Sequence, residues 1–269
     1  MSDSGPSSAK LSGYTLPLTP AGTGSLVPPP PWHFSGDVLW IEYRADPAAV
    51  AAFLPDELTP VESPKNAAIG FYDWQWCGDA GTELADPATA QFRECMIALD
   101  ARLGPEPVCR VPLAWVDSTV PLVRGWLQGM PKIPGEVALT RSFPVGRATA
   151  QRSAGGRFHG VVSAGGRRLI TASVELRGRS PAPVLATRPL IHTRFDPGWG
   201  PELPPRTEPV RSSVDGVQTG AAWSGSADLT FGGELGEFAA LAPVSVGDGY
   251  VFSYAETLRP GRPVEVSSG

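Results

Sequence analysis

The sequence predicts a mainly β fold of the α+β class, in which an antiparallel sheet closes into a barrel with a few short helices at its periphery. One observation is a series of short segments rich in β-forming residues. Another is that 31 glycines and 30 prolines place turns throughout the 269 residues. A third is that the helical patterns are short and do not alternate regularly with strands, which argues against a doubly wound parallel sheet. A β-sandwich is the alternative that this pattern leaves open.

The chain length permits one large domain with a substantial core and does not require two. We expect residues 1–12 to form a disordered polar tail and residues 13–269 to form a single domain. Four consecutive prolines at positions 28–31 predict an extended entry into that domain. The low charged fraction, 18%, excludes charge-driven disorder for most of the chain.

Strand-like segments follow one another along most of the domain. In the second half, two of them flank Gly165 and Gly166, a pair that favours a tight hairpin turn. The predicted strands cover residues 38–43, 67–76, 94–103, 108–116, 157–164, 168–176, 210–218, 221–231 and 250–258.

Capping signals predict the helices. Asp46 and Asp86 are each followed by a proline, the arrangement typical of an N-cap and the first helical position. The first of these signals predicts a short helix over residues 48–54. A further short helix is expected over residues 234–241.

A third helix is predicted between Ser118, a plausible N-cap, and Leu127. Gly129 stands where a left-handed C-cap belongs. The apolar face of this helix is predicted to consist of Val120, Val123, Trp126 and Leu127.

Charge and hydropathy exclude several classes of partner. The formal net charge of −5 and the absence of a dense Lys/Arg cluster argue against a nucleic-acid surface. No run of about 18 apolar residues is present, so no membrane span is expected. The first ten residues are polar and small rather than an apolar signal core, which predicts a cytoplasmic protein.

Metal and disulfide chemistry are not expected. The cysteines form no C-x-x-C pair and leave an odd thiol, which predicts reduced thiols: Cys77, Cys95 and Cys109. The histidines lie far apart without metal-binding spacing: His33, His159 and His192. The common nucleophile-elbow, phosphate-loop and dinucleotide signatures are absent as well.

Lys132 is the lysine whose surroundings indicate chemistry. Only three of the 22 basic residues are lysines, and Lys10 and Lys65 stand in polar segments. Apolar residues and two prolines flank Lys132, so a stiff segment would carry its side chain. If that side chain is buried, its pKa falls and the neutral amine can attack a ketone. The alternative is that it caps the last carbonyls of the preceding helix.

Four segments in order resemble landmarks of the acetoacetate decarboxylase superfamily: residues 31–36 (PWHFSG), 41–46 (IEYRAD), 125–132 (GWLQGMPK) and 222–225 (AWSG). The resemblance extends over nearly the whole chain, and its most specific element is Gly-x-Pro-Lys. It implies a closed antiparallel barrel and assembly into homo-oligomers. It also implies that Lys132 forms a Schiff base with substrate and that no metal or separate cofactor is needed.

The resemblance places the buried acid of the family at Glu94. Its neighbours Cys95, Met96 and Ile97 are apolar, so a core-facing or barrel-lining strand is expected. A carboxyl group there suits general acid or base work. The alternative is a structural ion pair with an arginine on an adjacent strand.

Two departures from the family pattern count against simple acetoacetate decarboxylation. Ile133 stands where true acetoacetate decarboxylases carry a second lysine, so no neighbouring ammonium can activate Lys132. Asp37 replaces an arginine of the entry segment that serves decarboxylation.

The sequence is closer to the branch of pyruvate aldolase-dehydratases and natural-product enzymes. The similarity lies in residues 73–75 (DWQ), Gln128 and Tyr254. It implies that Gln128, with Trp126 and Met130 beside it, binds substrate, and that Tyr254 donates a proton. The alternatives are helix capping for Gln128 and an ordinary core tyrosine for Tyr254.

The expected function is therefore a lyase that condenses a small 2-oxo acid such as pyruvate with an aldehyde through an imine on Lys132 and then dehydrates the adduct. Three alternatives remain open. They are decarboxylation of acetoacetate or another 3-oxo acid, a natural-product cyclase or dehydratase, and a barrel that only binds a small ligand.

Overall fold

The computed structural model of the protein describes residues 10–232 and 235–264. Within them the protein is mainly β, as predicted. The strands are β1 (Trp32–Arg44), β2 (Thr59–Pro60), β3 (Ala67–Gly78), β4 (Gln91–Leu103), β5 (Glu106–Val116), β6 (Lys132–Pro134), β7 (Glu136–Leu139), β8 (Arg157–Ala164), β9 (Arg167–Ser180), β10 (Leu190–Asp196), β11 (Arg206–Thr219), β12 (Ala222–Phe231) and β13 (Ser245–Pro263). The α-helices are α1 (Pro47–Ala52), α2 (Pro87–Ala90) and α3 (Thr119–Gln128), and short 3₁₀ helices cover Thr82–Ala85, Val184–Thr187 and Gly236–Leu241.

The strands belong to one sheet, in which β1 pairs with both β3 and β13. The pairings therefore run in a ring through β1, β3, β4, β5, β10, β11 and β13. Among the described strands, all pairings are antiparallel except those of β5 with β10 and with β6, which are parallel. The predicted purely antiparallel sheet is wrong at these two pairings, because β6 and β10 each lie next to β5 and run in the same direction as β5. Closure of the ring into a barrel stays a prediction.

The predicted caps at Asp46 and Asp86 and the predicted hairpin are confirmed, whereas Ser118 precedes α3 without a side-chain capping hydrogen bond. The Asp46 carboxylate accepts hydrogen bonds from the N–H groups of Ala48 and Ala49 at the start of α1. Pro47 occupies the first helical position, where its missing N–H leaves no bond unmade. Gly165 and Gly166 join β8 to β9 with positive φ angles of 57° and 75°. Glycine adopts such angles without a steric penalty, which fixes the hairpin.

Helix α3 begins after Ser118 and ends at Gly129, whose φ of 89° makes it the predicted left-handed C-cap. The predicted apolar face is confirmed at Val120 and Val123, which pack against a core cluster, and is wrong at its other two residues. Trp126 is 62% exposed and Leu127 is 39% exposed. The buried stripe instead contains Pro121, Arg124 and Gly125. Hydrophobicity misplaced the C-terminal part of the face because the stripe that packs inward there carries a charged residue, Arg124.

Four strands were not predicted: β2, β6, β7 and β10. Each has seven residues or fewer, and β6 ends in proline, so neither length nor alternation distinguished them from loops. The helix predicted over residues 234–241 is a 3₁₀ helix over Gly236–Leu241, and residue 234 lies outside the described residues. Residues 1–9 of the predicted tail also lie outside them, whereas Ser12 pairs through its backbone with Thr19.

Both faces of the sheet carry an apolar layer. On β1, Leu39 and Ile41 pack into one core cluster, whereas Val38 and Trp40 pack into another. This alternation is the period-2 pattern of a strand that is buried on both sides. The cluster around Trp40 encloses the candidate site. None of the described helices has the length and hydropathy needed to cross a bilayer.

Candidate active site

Lys132 and Glu94 form a buried pair. The Lys132 Nζ lies 3.0 Å from Oε1 of Glu94 and donates a hydrogen bond to its Oε2 at 3.1 Å. Lys132 is 4% exposed and Glu94 is 3% exposed. The amine also lies 5.6 Å from the centre of the Phe92 ring. Both alternatives stated above are therefore wrong: the Lys132 side chain does not cap α3, and Glu94 pairs with a lysine rather than an arginine.

The end of α3 positions Lys132. The N–H of Met130 donates to the Gly125 carbonyl at 2.8 Å, and the indole N–H of Trp126 donates to the Lys132 carbonyl at 2.7 Å. Gly125 also leaves room for the lysine stem, since a Cβ there would lie 2.5 Å from the Lys132 Cδ. The backbone of Lys132 pairs with Ala114 of β5, which directs the side chain toward the core.

The pKa of Lys132 lies below its usual value of 10.5. Burial is the largest cause, because it disfavours the charged ammonium. The Glu94 charge and hydrogen bond act in the opposite direction, and the Arg124 charge lowers the pKa further. The neighbouring cation missing from position 133 is thus supplied by Arg124, one turn of α3 before Gln128. Ile133 itself is 40% exposed.

Arg124 is an unusual buried cation. It is 1% exposed, and burial lowers its pKa to about 9. Among the described residues, neither of its terminal Nη groups has a hydrogen-bond partner. Its guanidinium carbon lies 4.6 to 5.6 Å from the centres of four aromatic rings: Phe34, Trp76, Phe92 and Trp32. Such a group is partly stabilised by the ring faces and retains free donors for an anionic ligand.

A cavity of about 560 Å³ lies near the pair. Neither Lys132 nor Glu94 lines it, but Glu94 interacts electrostatically with two residues that do, Tyr72 and Glu256. The cavity lining includes Tyr72, Trp74, Tyr254 and Glu256. The Tyr254 hydroxyl donates to Glu256 at 2.9 Å. Burial raises the pKa of Glu256; its hydrogen bond from Tyr254 acts against this, while the charge of Glu94 raises it further. The pKa of Tyr254 is also raised, first by burial and then by Glu256, so its hydroxyl keeps its proton.

The remaining predicted binding residues lie around Lys132. Met130 is buried next to it, and Gln128 is half-buried at the end of α3. The Trp126 ring is mostly exposed and contacts Lys132 through its carbonyl. None of these three residues is among those that line the cavity. Their roles in substrate binding stay predictions, as do the catalytic roles of Lys132, Glu94 and Tyr254.

Two further residues of the site were not identified from the sequence, Arg124 and Glu256. Glu256 was recognisable in principle, because residues two apart on a strand share a face and Tyr254 had already been selected. Arg124 lies four residues before Gln128, on the same side of α3. The sequence did not indicate that Arg124 is buried, because the predicted apolar face of α3 did not include it.

Asp37 takes part in a different interaction. Its carboxylate lies 2.6 Å from an Nη of Arg152 and accepts a hydrogen bond from Ser253 at 2.7 Å. In the described part of the chain, no group of three or more His, Cys, Asp or Glu side chains could hold a metal ion.

The sequence model of the acetoacetate decarboxylase family matches residues 15–267. The chain belongs to the acetoacetate decarboxylase family. As a member of this family it is an enzyme of the lyase type. No curated protein matched the chain.

Several solved structures of this family have a similar fold. The enduracididine biosynthesis enzyme MppR, complexed with the condensation product of pyruvate and imidazole 4-carboxaldehyde, is 47% identical with a TM-score of 0.92, over 96% of this chain and 98% of that chain. MppR complexed with pyruvate is 46% identical with a TM-score of 0.92, over 96% and 99%. An acetoacetate decarboxylase-like enzyme from Sphingomonas wittichii RW1 is 25% identical with a TM-score of 0.85, over 94% and 99%.

Proposed function

We propose that this enzyme forms an imine between Lys132 and a 2-oxo acid such as pyruvate, condenses it with an aldehyde and dehydrates the adduct. The observation that carries the proposal is the buried Lys132 amine, whose pKa is lowered beside Glu94 and Arg124. The 47% identity to MppR, which was solved with a condensation product of pyruvate and an aldehyde, supports the choice of substrates.

In the first step Glu94 is proposed to take a proton from Lys132 and to return it to the ketone oxygen as the uncharged amine attacks the ketone carbon. A proton then moves from nitrogen to the new hydroxyl, which leaves as water to give a protonated imine. Arg124 is suited to hold the substrate carboxylate, because its Nη groups are buried without partners among the described residues. Gln128 is proposed to assist through its amide, with Met130 and Trp126 shaping the surroundings of the lysine.

The second step is formation of an enamine. The protonated imine accepts an electron pair when a proton leaves the adjacent carbon, and Glu94 is suited to take that proton. The enamine carbon then attacks the aldehyde carbon, and the aldehyde oxygen takes a proton to become a hydroxyl. Tyr254 is the proposed donor, since its raised pKa keeps the hydroxyl protonated, and Glu256 is proposed to hold that hydroxyl in place by accepting its hydrogen bond.

The third step is dehydration. A second proton leaves the same carbon while the hydroxyl departs as water, and the double bond of an unsaturated 2-oxo acid forms. Hydrolysis of the imine then releases this product and restores the amine. The imine is the only electron sink in these reaction steps, so no cofactor is required.

Three further features are proposed on the family resemblance. The ring of strand pairings is proposed to act as a closed barrel around the cavity. The enzyme is proposed to assemble into homo-oligomers and to work in the cytoplasm.

Decarboxylation of a 3-oxo acid is the second candidate, because loss of carbon dioxide from its imine also yields an enamine and the chain belongs to the acetoacetate decarboxylase family. It would use the same lysine without the aldehyde.

Reductive trapping distinguishes these candidates. The protein is incubated with pyruvate or with acetoacetate, reduced with borohydride, and digested for peptide mass mapping. We expect a pyruvate adduct on Lys132 and none on Lys65, together with an unsaturated product when imidazole 4-carboxaldehyde is added. Carbon dioxide release from acetoacetate without condensation would favour the decarboxylase. Absence of any adduct would contradict imine chemistry and favour a ligand-binding role.

A further inference from the structure

His192 is a buried polar residue that the proposed mechanism has not used. It lies on β10 and is 1% exposed. Among the described residues, no group forms a hydrogen bond with either of its ring nitrogens. Buried polar atoms in proteins are nearly always hydrogen-bonded, so an imidazole with two unused nitrogens indicates a partner that binds during function.

The strand pairings place His192 on the same side of the sheet as Lys132. Strands β10 and β6 pair in parallel with the edge of β5 that faces away from β4, at Cys109 and at Ala114 respectively. Leu190, two residues before His192, lines the cavity; His192 is not itself a lining residue but shares the face of β10 with Leu190.

The end of α3 also packs against β10. A Cβ on Gly129 would lie 2.7 and 2.8 Å from the carbonyl carbon and oxygen of Thr193. The segment that leads into Lys132 is thus in contact with the residue that follows His192.

The imidazole is uncharged at neutral pH. The pKa of His192 is lowered to about 3, first by burial and then by the charges of Arg110 and Lys132. The influence of Lys132 agrees with the placement of both side chains on one face. An uncharged imidazole offers one donor and one acceptor, which is what proton transfer to and from water requires.

Among the described groups of the site, Glu94, Tyr254 and Glu256 already have partners, whereas the Nη groups of Arg124 do not and are assigned above to the substrate carboxylate. Glu94 holds the Lys132 amine, and Tyr254 donates to Glu256. His192 is the neighbouring group whose two nitrogens remain available to a water molecule or a substrate hydroxyl.

We propose that His192 is a further catalytic residue that moves protons during hydrolysis of the imine, an assignment that rests on the proposed function. A water oxygen attacks the imine carbon and the C=N π pair moves to nitrogen. The imidazole accepts a water proton at one ring nitrogen while the N–H of the other gives its proton toward Nζ, so the ring stays uncharged. The C–N bond then breaks with its electron pair going to Nζ, while the hydroxyl proton passes to Glu94 and the C=O bond forms.

The same imidazole must act in imine formation, because formation is the reverse of hydrolysis. Loss of His192 therefore slows both directions equally and leaves the equilibrium amount of imine unchanged. A residue that only supported the packing of Lys132 would instead change that amount.

Oxygen exchange into pyruvate measures this step without an aldehyde. Each cycle of imine formation and hydrolysis replaces the 2-oxo oxygen with one from water, so the rate in ¹⁸O-labelled water, above the uncatalysed rate, reports the step. For His192→Gln we expect a fall of about 100-fold, in the range of general acid–base catalysis. The amount of imine trapped by borohydride after long incubation should equal that of the unmodified enzyme. His159→Gln, at an exposed histidine of β8, should change neither quantity.

His192→Ala provides a second readout, because added imidazole should restore part of its exchange rate. Unchanged oxygen exchange in His192→Gln, or a loss explained entirely by less trapped imine, would overturn the assignment of His192. Absence of a trapped pyruvate imine in the unmodified enzyme would contradict the proposed function itself.

Discussion

Two lysines of this protein form close pairs with glutamates, yet their pKa values are shifted in opposite directions. Lys65 lies 2.7 Å from Glu42, closer than the 3.0 Å between Lys132 and Glu94. The Lys65 side chain is 39% exposed, whereas that of Lys132 is 5% exposed. The pKa of Lys65 is raised, and the pKa of Lys132 is lowered.

The difference comes from the surroundings of each pair. At Lys65, burial alone would lower the pKa, but the hydrogen bond and charge of Glu42 and the charges of Tyr250 and Asp248 outweigh it. At Lys132, burial is complete and Arg124 adds a positive charge, so the contribution of Glu94 is outweighed. A carboxylate at hydrogen-bond distance therefore does not decide whether a lysine is charged. The degree of burial and the next cation decide it.

The largest expected effect comes from replacing each lysine with arginine. Lys132→Arg should reduce condensation to the background rate, because a guanidinium cannot form the imine. Lys65→Arg should retain normal turnover and keep the pair with Glu42. Steady-state kinetics and thermal unfolding of both variants check this. Turnover by Lys132→Arg would show that Lys132 is no more necessary for the reaction than Lys65.

Replacing the paired acids should give the next largest effect. Glu94→Gln removes the proposed base, so kcat should fall by about 100- to 10,000-fold. The Glu94 charge raises the pKa of Lys132, so its loss should also move the rising limb of the pH–rate profile to lower pH. Glu42→Gln is the matched control and should leave kcat and the profile unaltered. A shift of the rising limb of Glu94→Gln to higher pH would show that Glu94 does not raise the pKa of Lys132.

Gly125→Ala should displace Lys132 without touching its chemistry. The new Cβ would lie 2.5 Å from Cδ of the lysine, so the stem must move. We expect a loss of kcat/KM of about 100-fold, typical of a misplaced reacting group. Gly178→Ala on β9 is the control, since a Cβ there meets nothing within 4 Å. Equal activity of the two variants would mean that the stem position is unimportant.

Arg124→Met tests the cation that Lys65 lacks. The Arg124 charge lowers the pKa of Lys132, so its removal should raise that pKa and shift the rising limb of the pH–rate profile upward. Loss of the free Nη groups should also raise the KM for pyruvate by about tenfold, the effect of one charge-assisted hydrogen bond. The melting temperature should not fall, since apolar replacement of a buried, unpaired charge is seldom destabilising. An unchanged pH profile would exclude Arg124 as an activator.

The β class, the caps and the turn at Gly165 were predictable because each depends on a few adjacent residues. So was the position of Lys132, which stands in a specific motif. The strands β6 and β10 were not, since they are short and their partner β5 is distant in sequence. Arg124 and Glu256 were missed for a related reason: the value of a buried charge depends on what packs around it. His192 was considered only as a metal ligand, because its isolation from protein partners is visible only in three dimensions.

The central claim is that the Lys132 amine loses its proton more readily than an ordinary lysine. With only three lysines in the chain, NMR titration of protein labelled with ¹³C-lysine resolves each amine directly. We expect Lys132 to titrate below 10.5 and Lys65 above it. A Lys132 ammonium that persists to the pH at which Lys65 titrates would contradict the account.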